Sequence, residues 1–303
     1  MLDLGCKPLD YGLIHMSRPD FYPSSGRAAV CAVVVLAILQ LSCVFAGAQV
    51  TRVGTITHFA MKESSGLAAS KRFPDVIWTH ADGDGDARNK QFLFAMQRTN
   101  GAYILSFEVV GASFIDWEDI AADGAGNLYL ADTGGDGKAR SHVAIHRVRE
   151  PNPNKLKNVP IERTWYLRFP GQRQNCEAFF VLDGRGYLVT KGELAGRVTI
   201  YDFALANRAE SILLQRVTTV DIPGDVTAAT ISSDSARLAL LTDDGPVVYK
   251  INGDVSAIRR SIGYFRPFPN TLIEGATFIG DGLLVSSEAG ELFLFTDPQF
   301  QTP

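Results

Sequence analysis

The sequence predicts an all-β fold, a five-bladed β-propeller, and three observations predict it. One strand pair recurs five times, the copies are spaced 47 to 59 residues apart, and the last copy lacks an outer strand that a spare N-terminal run can supply. The copies are "SSGLAAS" with "VIWTHADGDGD", "WEDIAAD" with "LYLADTGGDG", "CEAFFVLD" with "GYLVTKGE", "VTAATISSD" with "RLALLTDDG", and "IEGATFIGD" with "LLVSSEAGE". In each, a polar residue opens a short strand of small and apolar residues, a turn follows, and a second strand ends in a polar loop. Six blades is the alternative if two units have been merged.

The chain begins with a segment of different character. Arg18 and Arg27 precede an apolar run over 28–46, and "AGA" offers a small-x-small cleavage pattern before Gln49. Residues 1–48 are therefore expected to be an export signal, starting at Met1 or Met16. The mature chain, a single domain over 49–303, is then periplasmic or secreted and detached from the membrane. The alternative is a membrane anchor through 28–46, because the run is nearly long enough to span a bilayer. Cleavage removes Cys6, Cys31 and Cys43 and leaves Cys176 alone, which precludes an internal disulfide and reads as a small buried hydrophobe.

The outer strands follow in order. "VAIHRV" and "RTWYLRF" complete the second unit around a surface loop at 150–160, and "RVTIYDF" and "QRVTTVDI" complete the third. The nearest approach to a helical pattern is "DFALANRAESILLQ", where a helical turn is expected. "ELFLF" is the one clear outer strand of the fifth unit. "TRVGTITHF", 51–59, belongs to no other unit and is expected to close the ring there, which would leave no free sheet edge.

Aligning the openings places Ser65, Glu118, Glu177, Thr227 and Glu274 at equivalent positions. In a propeller these converge on the channel axis, where three carboxylates repel one another and raise each other's pKa. A hard divalent cation would neutralise them, and the all-oxygen set with no His or Cys points to Ca²⁺ over zinc. The second strands return to the same mouth, ending at His80, Asp132, Thr190, Thr242 and Ser287. Their loops add Asp82, Arg88, Asp136, Arg140, Lys191, Asp243 and Glu288, giving a polar ligand-binding face. "DGDGDARNK" looks like a fragment of an EF-hand, but Ala87 stands where its glycine belongs and Leu93 where its closing Glu belongs. His80 reads as a scaffold residue and Trp117 as packing between blades.

The ordered Ser, Glu, Glu, hydroxyl, Glu set resembles the calcium-activated nucleotidases, or soluble apyrases, which are five-bladed propellers with Ca²⁺ in the channel. The resemblance implies Ca²⁺ ligation by Ser65, Glu118, Glu177, Thr227 and Glu274. "ESSGLAAS", "WEDIA", "LYLADTGGD" and "EAFFVLDGRGYLVTK" are also similar to a group of exported bacterial propellers and, more distantly, to phytase-like and strictosidine synthase-like proteins. The mouth departs from the nucleotidase pattern, since its loops carry more Asp than Arg, and only Arg88, Arg140 and Lys191 offer phosphate contacts.

Two functions stay open. One is a noncatalytic monomer that holds Ca²⁺ and binds a small molecule or a protein at the mouth. The other is a calcium-dependent phosphoester hydrolase, or a lactonase or esterase, with Asp132 and Glu118 as acid/base candidates. The net charge of −4 and the lack of a basic stripe argue against nucleic acid.

Overall fold

Strands buried on both faces should read as unbroken apolar runs, and those that border solvent should alternate. Both patterns appear in the computed structural model, which describes residues 49–58, 61, 64–81, 91–135, 140–192, 196–269, 271–297 and 300. The N-terminal strand is β1 (Gln49–Thr55). The first blade is β2 (Ser64–Ala69), β3 (Val76–Ala81), β4 (Phe92–Gln97) and β5 (Tyr103–Val110). The second is β6 (Trp117–Ala122), β7 (Asn127–Asp132), β8 (Val143–Arg149) and β9 (Val159–Arg168). The third is β10 (Cys176–Leu182), β11 (Arg185–Thr190), β12 (Arg197–Ala204) and, after the short β13 (Ile212–Leu213), β14 (Gln215–Asp221). The fourth is β15 (Val226–Ile231), β16 (Arg237–Thr242), β17 (Gly245–Lys250) and β18 (Tyr264–Phe265); the fifth is β19 (Ile273–Ile279), β20 (Gly282–Ser287) and β21 (Glu291–Thr296). Strands β3, β7, β16 and β20 are buried throughout, whereas β9 alternates, burying Val159, Trp165 and Leu167 and exposing Pro160, Tyr166 and Arg168.

The fold is a five-bladed β-propeller. First strands β2, β6, β10, β15 and β19 contact one another cyclically around the axis. Strand β1 pairs antiparallel with β21, with Gln49 opposite Thr296 and Thr55 opposite Glu291, and so completes the fifth blade. The closing strand begins two residues earlier than "TRVGTITHF" and ends at Thr55. It also reaches the first blade, where Thr55 N donates to Asn100 O at 3.2 Å. All described residues fall in one compact unit. The export-signal segment lies outside them. Among the described residues no helix is long and apolar enough to cross a membrane.

Five apolar clusters hold the ring together, one between each pair of adjacent blades. Trp117 packs between the first two, stacked on Phe114 at 4.7 Å, and Cys176 is fully buried between the second and third. The expected helical turn in "DFALANRAESILLQ" is absent. A turn follows β12 there, and Ile212 and Leu213 pair in parallel with Leu167 and Arg168 of the neighbouring blade, so tertiary pairing overrides local propensity. The loop expected at 150–160 does lie within the second blade, between β8 and β9. A 3-10 helix, Val255–Arg260, capped by Asp254, joins β17 to β18 and had no clear signal in the pattern.

Candidate functional site: the channel and its upper mouth

The ring residues share a backbone device. In four blades the ladder between first and second strands skips one residue, and that residue is Glu118, Glu177, Thr227 or Glu274. In the first blade the skip comes one position later, after Ser65, at Gly66. A bulge takes its extra residue out of the ladder and re-aims its side chain, which is how a strand delivers a polar group to a channel mouth. The two hydroxyls join neighbouring blades: Ser65 Oγ donates to Glu118 O at 2.7 Å and Thr227 Oγ1 donates to Ile273 O at 2.8 Å. The Glu118 carboxylate lies against Gly134, where any Cβ would collide with it.

The carboxylates gather around a cation that belongs to the chain. Lys191 Nζ donates to Glu177 Oε1 at 2.7 Å, and Asn175 Nδ2 donates to the same oxygen at 3.0 Å. Burial works against the Lys191 charge. The hydrogen bond to Glu177 and the fields of Glu177, Glu274 and Glu118 outweigh it, and hold the ammonium above the ordinary lysine range. Three carboxylates therefore act on this one ammonium. Among the described residues no group of three or more His, Cys, Asp or Glu side chains is disposed to hold a metal ion directly. The donor chemistry nonetheless suits a hard cation, since every ring donor is oxygen and the two hydroxyls direct their protons to carbonyls, keeping lone pairs for a ligand.

Below the ring sits a residue that the sequence pattern did not single out. The position after each ring residue is Gly66, Asp119, Ala178, Ala228 and Gly275, so one carboxylate occupies a column of otherwise small side chains. Asp119 is fully buried. Its Oδ2 accepts from Phe179 N at 2.8 Å and Ala229 N at 3.2 Å, and its Oδ1 from Ile120 N at 2.8 Å. One side chain thus bonds to three blades. A Cβ on Gly66, which is at φ +71°, would come within 2.8 Å of Asp119 Oδ1. Burial pushes the Asp119 pKa well above the ordinary carboxylate range, against the pull of the three amides.

The other mouth candidates separate into buried and exposed groups. His80 is fully buried and stacked on Trp117 at 4.5 Å, with ring planes 7° apart, so it supports the mouth from beneath and does not face it. Asp132 is buried as well: its carboxylate accepts from Asp116 N and Arg140 Nη1, each at 2.8 Å, and braces the loop above β7. Asp243 and Glu288 are exposed, and Asp243 Oδ1 accepts from Asp225 N at 2.8 Å. Asp82, Arg88 and Asp136 lie outside the described residues.

Burial lowers the His80 pKa to about 3. A folded pKa below the unfolded value near 6.5 means that the unfolded chain binds the extra proton, so stability is lost as pH falls below the unfolded pKa. His80→Phe keeps the stack and removes the titration. Relative to that variant, wild type is expected to lose roughly 3 kcal/mol between pH 7 and pH 4 in denaturant melts. Parallel stability–pH curves for the two proteins would contradict the assignment.

Cavities of about 710, 420 and 290 Å³ lie off the ring among the described residues. The first opens at the opposite end of the channel, where the first strands finish, with Ala122, Leu182, Ile231 and Phe278 in its wall and Lys71 and Arg147 also lining it. Sequence reasoning directed attention to the upper mouth and missed it. The second is lined by Thr219, Tyr249 and Arg259, and the third lies beside Asp132 and Arg140.

No family model matches the sequence, and no curated protein does. Solved structures match in fold. A gluconolactonase from Xanthomonas campestris is 12% identical, covering 84% of this chain and 91% of its own, with a TM-score of 0.50. A nidogen/laminin complex is 11% identical over 80% of this chain and 86% of that one, with a TM-score of 0.47. A virginiamycin B lyase from Staphylococcus aureus is 12% identical over 78% and 66%, with a TM-score of 0.42. At such identities the likeness to the gluconolactonase is one of fold alone, and the nucleotidase resemblance rests on the ring pattern.

Proposed function

We propose that the protein is an exported, noncatalytic binding propeller whose upper channel mouth is a cation site. In this reading Ser65, Glu118, Glu177, Thr227 and Glu274 take Ca²⁺ in exchange for the Lys191 ammonium, and the polar loops above bind a small-molecule or protein ligand. The observation that carries it is the placement of Lys191, bonded to Glu177 within the fields of Glu118 and Glu274. A ring of carboxylates that draws in an internal ammonium has the electrostatics of a cation site. Lys191 is part-exposed, so it has a path out toward solvent when a divalent ion replaces it.

A ligand bound only by the folded state adds RT ln(1 + [L]/Kd), about 2.7 kcal/mol at a hundredfold excess. For a domain of this size calcium is therefore expected to raise Tm by roughly 5 to 10 °C over a chelator-treated sample. Glu274→Gln, which keeps shape and removes charge, is expected to shrink that rise. Identical melting of wild type in calcium and in chelator would overturn the reading. The bonds on Asp132 favour binding over hydrolysis, since they hold it as a brace and not as a group poised toward the channel.

A further inference from the structure

One cross-strand rung of the second blade runs from the channel to the rim. Ala121 stands opposite Tyr129, Tyr129 opposite Arg147, and Arg147 opposite Arg163, so the four side chains share one face of the sheet. With neighbouring strands about 4.8 Å apart, the rung spans roughly 14 Å. Its first three residues line the cavity of about 710 Å³ at the far end of the channel, and Phe180, Leu182 and Leu205 of the third blade line it too. The cleft therefore grades from apolar at the channel to cationic at the rim.

Two arginines directly opposite one another weaken a sheet. Arg163 lies over the Trp165 ring at 4.5 Å and donates Nη2 to Asn207 O, which brings it against the third-blade loop that carries the exposed Arg208. Partial burial and the fields of Arg208 and Arg147 pull the Arg163 pKa below the ordinary arginine range, so the three charges act on one another. Among the described residues one carboxylate pairs with them: Glu162, bulged out of the ladder, sets Oε2 3.1 Å from Arg147 Nη2. The Arg147 side chain is still 32% exposed in the cavity wall, open to a further anion. A guanidinium fork fits a carboxylate, and an anion here relieves the repulsion. Asp123 lies in the same wall, its carboxylate held by Tyr129 Oη at 3.0 Å and Asn127 Nδ2 at 2.7 Å. A doubly charged head would face both Asp123 and Glu162, so a single carboxylate suits the site. Of the other charged lining residues, Lys71 and Asp183 are exposed and opposite in sign.

We propose that this cleft binds a small monocarboxylate with an apolar body, its carboxylate on Arg147 in the field of Arg163 and Arg208 and its body lying past Tyr129 toward Ala121 and Phe180. The site is at the end of the channel away from the ring and is independent of the cation there. Calorimetric titration of the full chain with octanoate, 1-octanol and acetate tests it. Octanoate is expected to bind saturably, octanol at least about tenfold more weakly for want of the charge, and acetate not measurably for want of the body. Arg147→Gln is expected to weaken octanoate about tenfold. Arg208→Gln, at an exposed residue, is expected to weaken it about threefold with Tm unchanged, an effect on affinity that a structural role alone would not produce. No saturable octanoate binding would overturn the proposal. So would octanol binding as tightly as octanoate, or octanoate affinity unchanged in Arg147→Gln.

Discussion

Deleting Gln49–Thr55 is expected to abolish cooperative folding. The strand supplies six registered residue pairs to β21, and each backbone hydrogen bond lost is worth about 0.5 to 1.5 kcal/mol. It also bridges to the first blade: Thr55 bonds to Asn100, and the Gly54 backbone approaches Asn100 too closely for any Cβ. Without it β21 becomes an open edge, and the ring loses its join between first and last blades. The summed loss is comparable to the whole stability of a typical domain, about 5 to 15 kcal/mol. Circular dichroism of the truncated protein is expected to show no sigmoidal melt and gel filtration to show aggregates. A truncated protein that melts as the intact one does would mean that the ring closes without β1.

Asp119→Ala is the point substitution with the largest expected cost. It strips the partner from the amides of Ile120, Phe179 and Ala229, and an unsatisfied buried donor costs roughly 1 to 3 kcal/mol. A loss of about 4 kcal/mol or more is expected, or roughly 10 to 15 °C in Tm. Asp119→Asn is milder, because the amide oxygen can still accept from Phe179 and Ala229 while its nitrogen faces Ile120. Thermal melts of the three proteins should rank wild type, Asn, then Ala. An Ala variant as stable as wild type would mean that water takes over the three amides and that Asp119 joins nothing.

The repeat was legible because a polar residue opens every first strand, with a small one beside it in all but the second, and five copies of a weak signal reinforce each other. Ring closure was legible by counting, since "ELFLF" lacked a partner and the N-terminal run lacked a unit. The mouth was less so. Glu118 and Asp119 are adjacent acids, and in one dimension they read as a single polar threshold; only the column Gly66, Asp119, Ala178, Ala228, Gly275 shows that Asp119 has room to cross the axis. Lys191 reads as one of several loop charges until the fold brings it to Glu177. His80 lies at a strand end like Asp132, yet the Trp117 ring covers it, a contact set by the next blade and invisible in its own. In "DFALANRAESILLQ" the apolar spacing suggested a turn of helix, but Ile212 and Leu213 had an edge strand to join.

The most direct test of the cation site is a calorimetric calcium titration of wild type beside Lys191→Gln. The substitution removes the competing ammonium and keeps the carboxylates. If Ca²⁺ and Lys191 share one site, the variant is expected to bind calcium at least about tenfold more tightly than wild type, since freeing Glu177 removes a charge-assisted bond worth about 1.5 to 3 kcal/mol. In chelator the variant should also melt below wild type, with its carboxylates left without their internal cation. Calcium binding absent from both proteins, or equal in both, would contradict exchange at the ring.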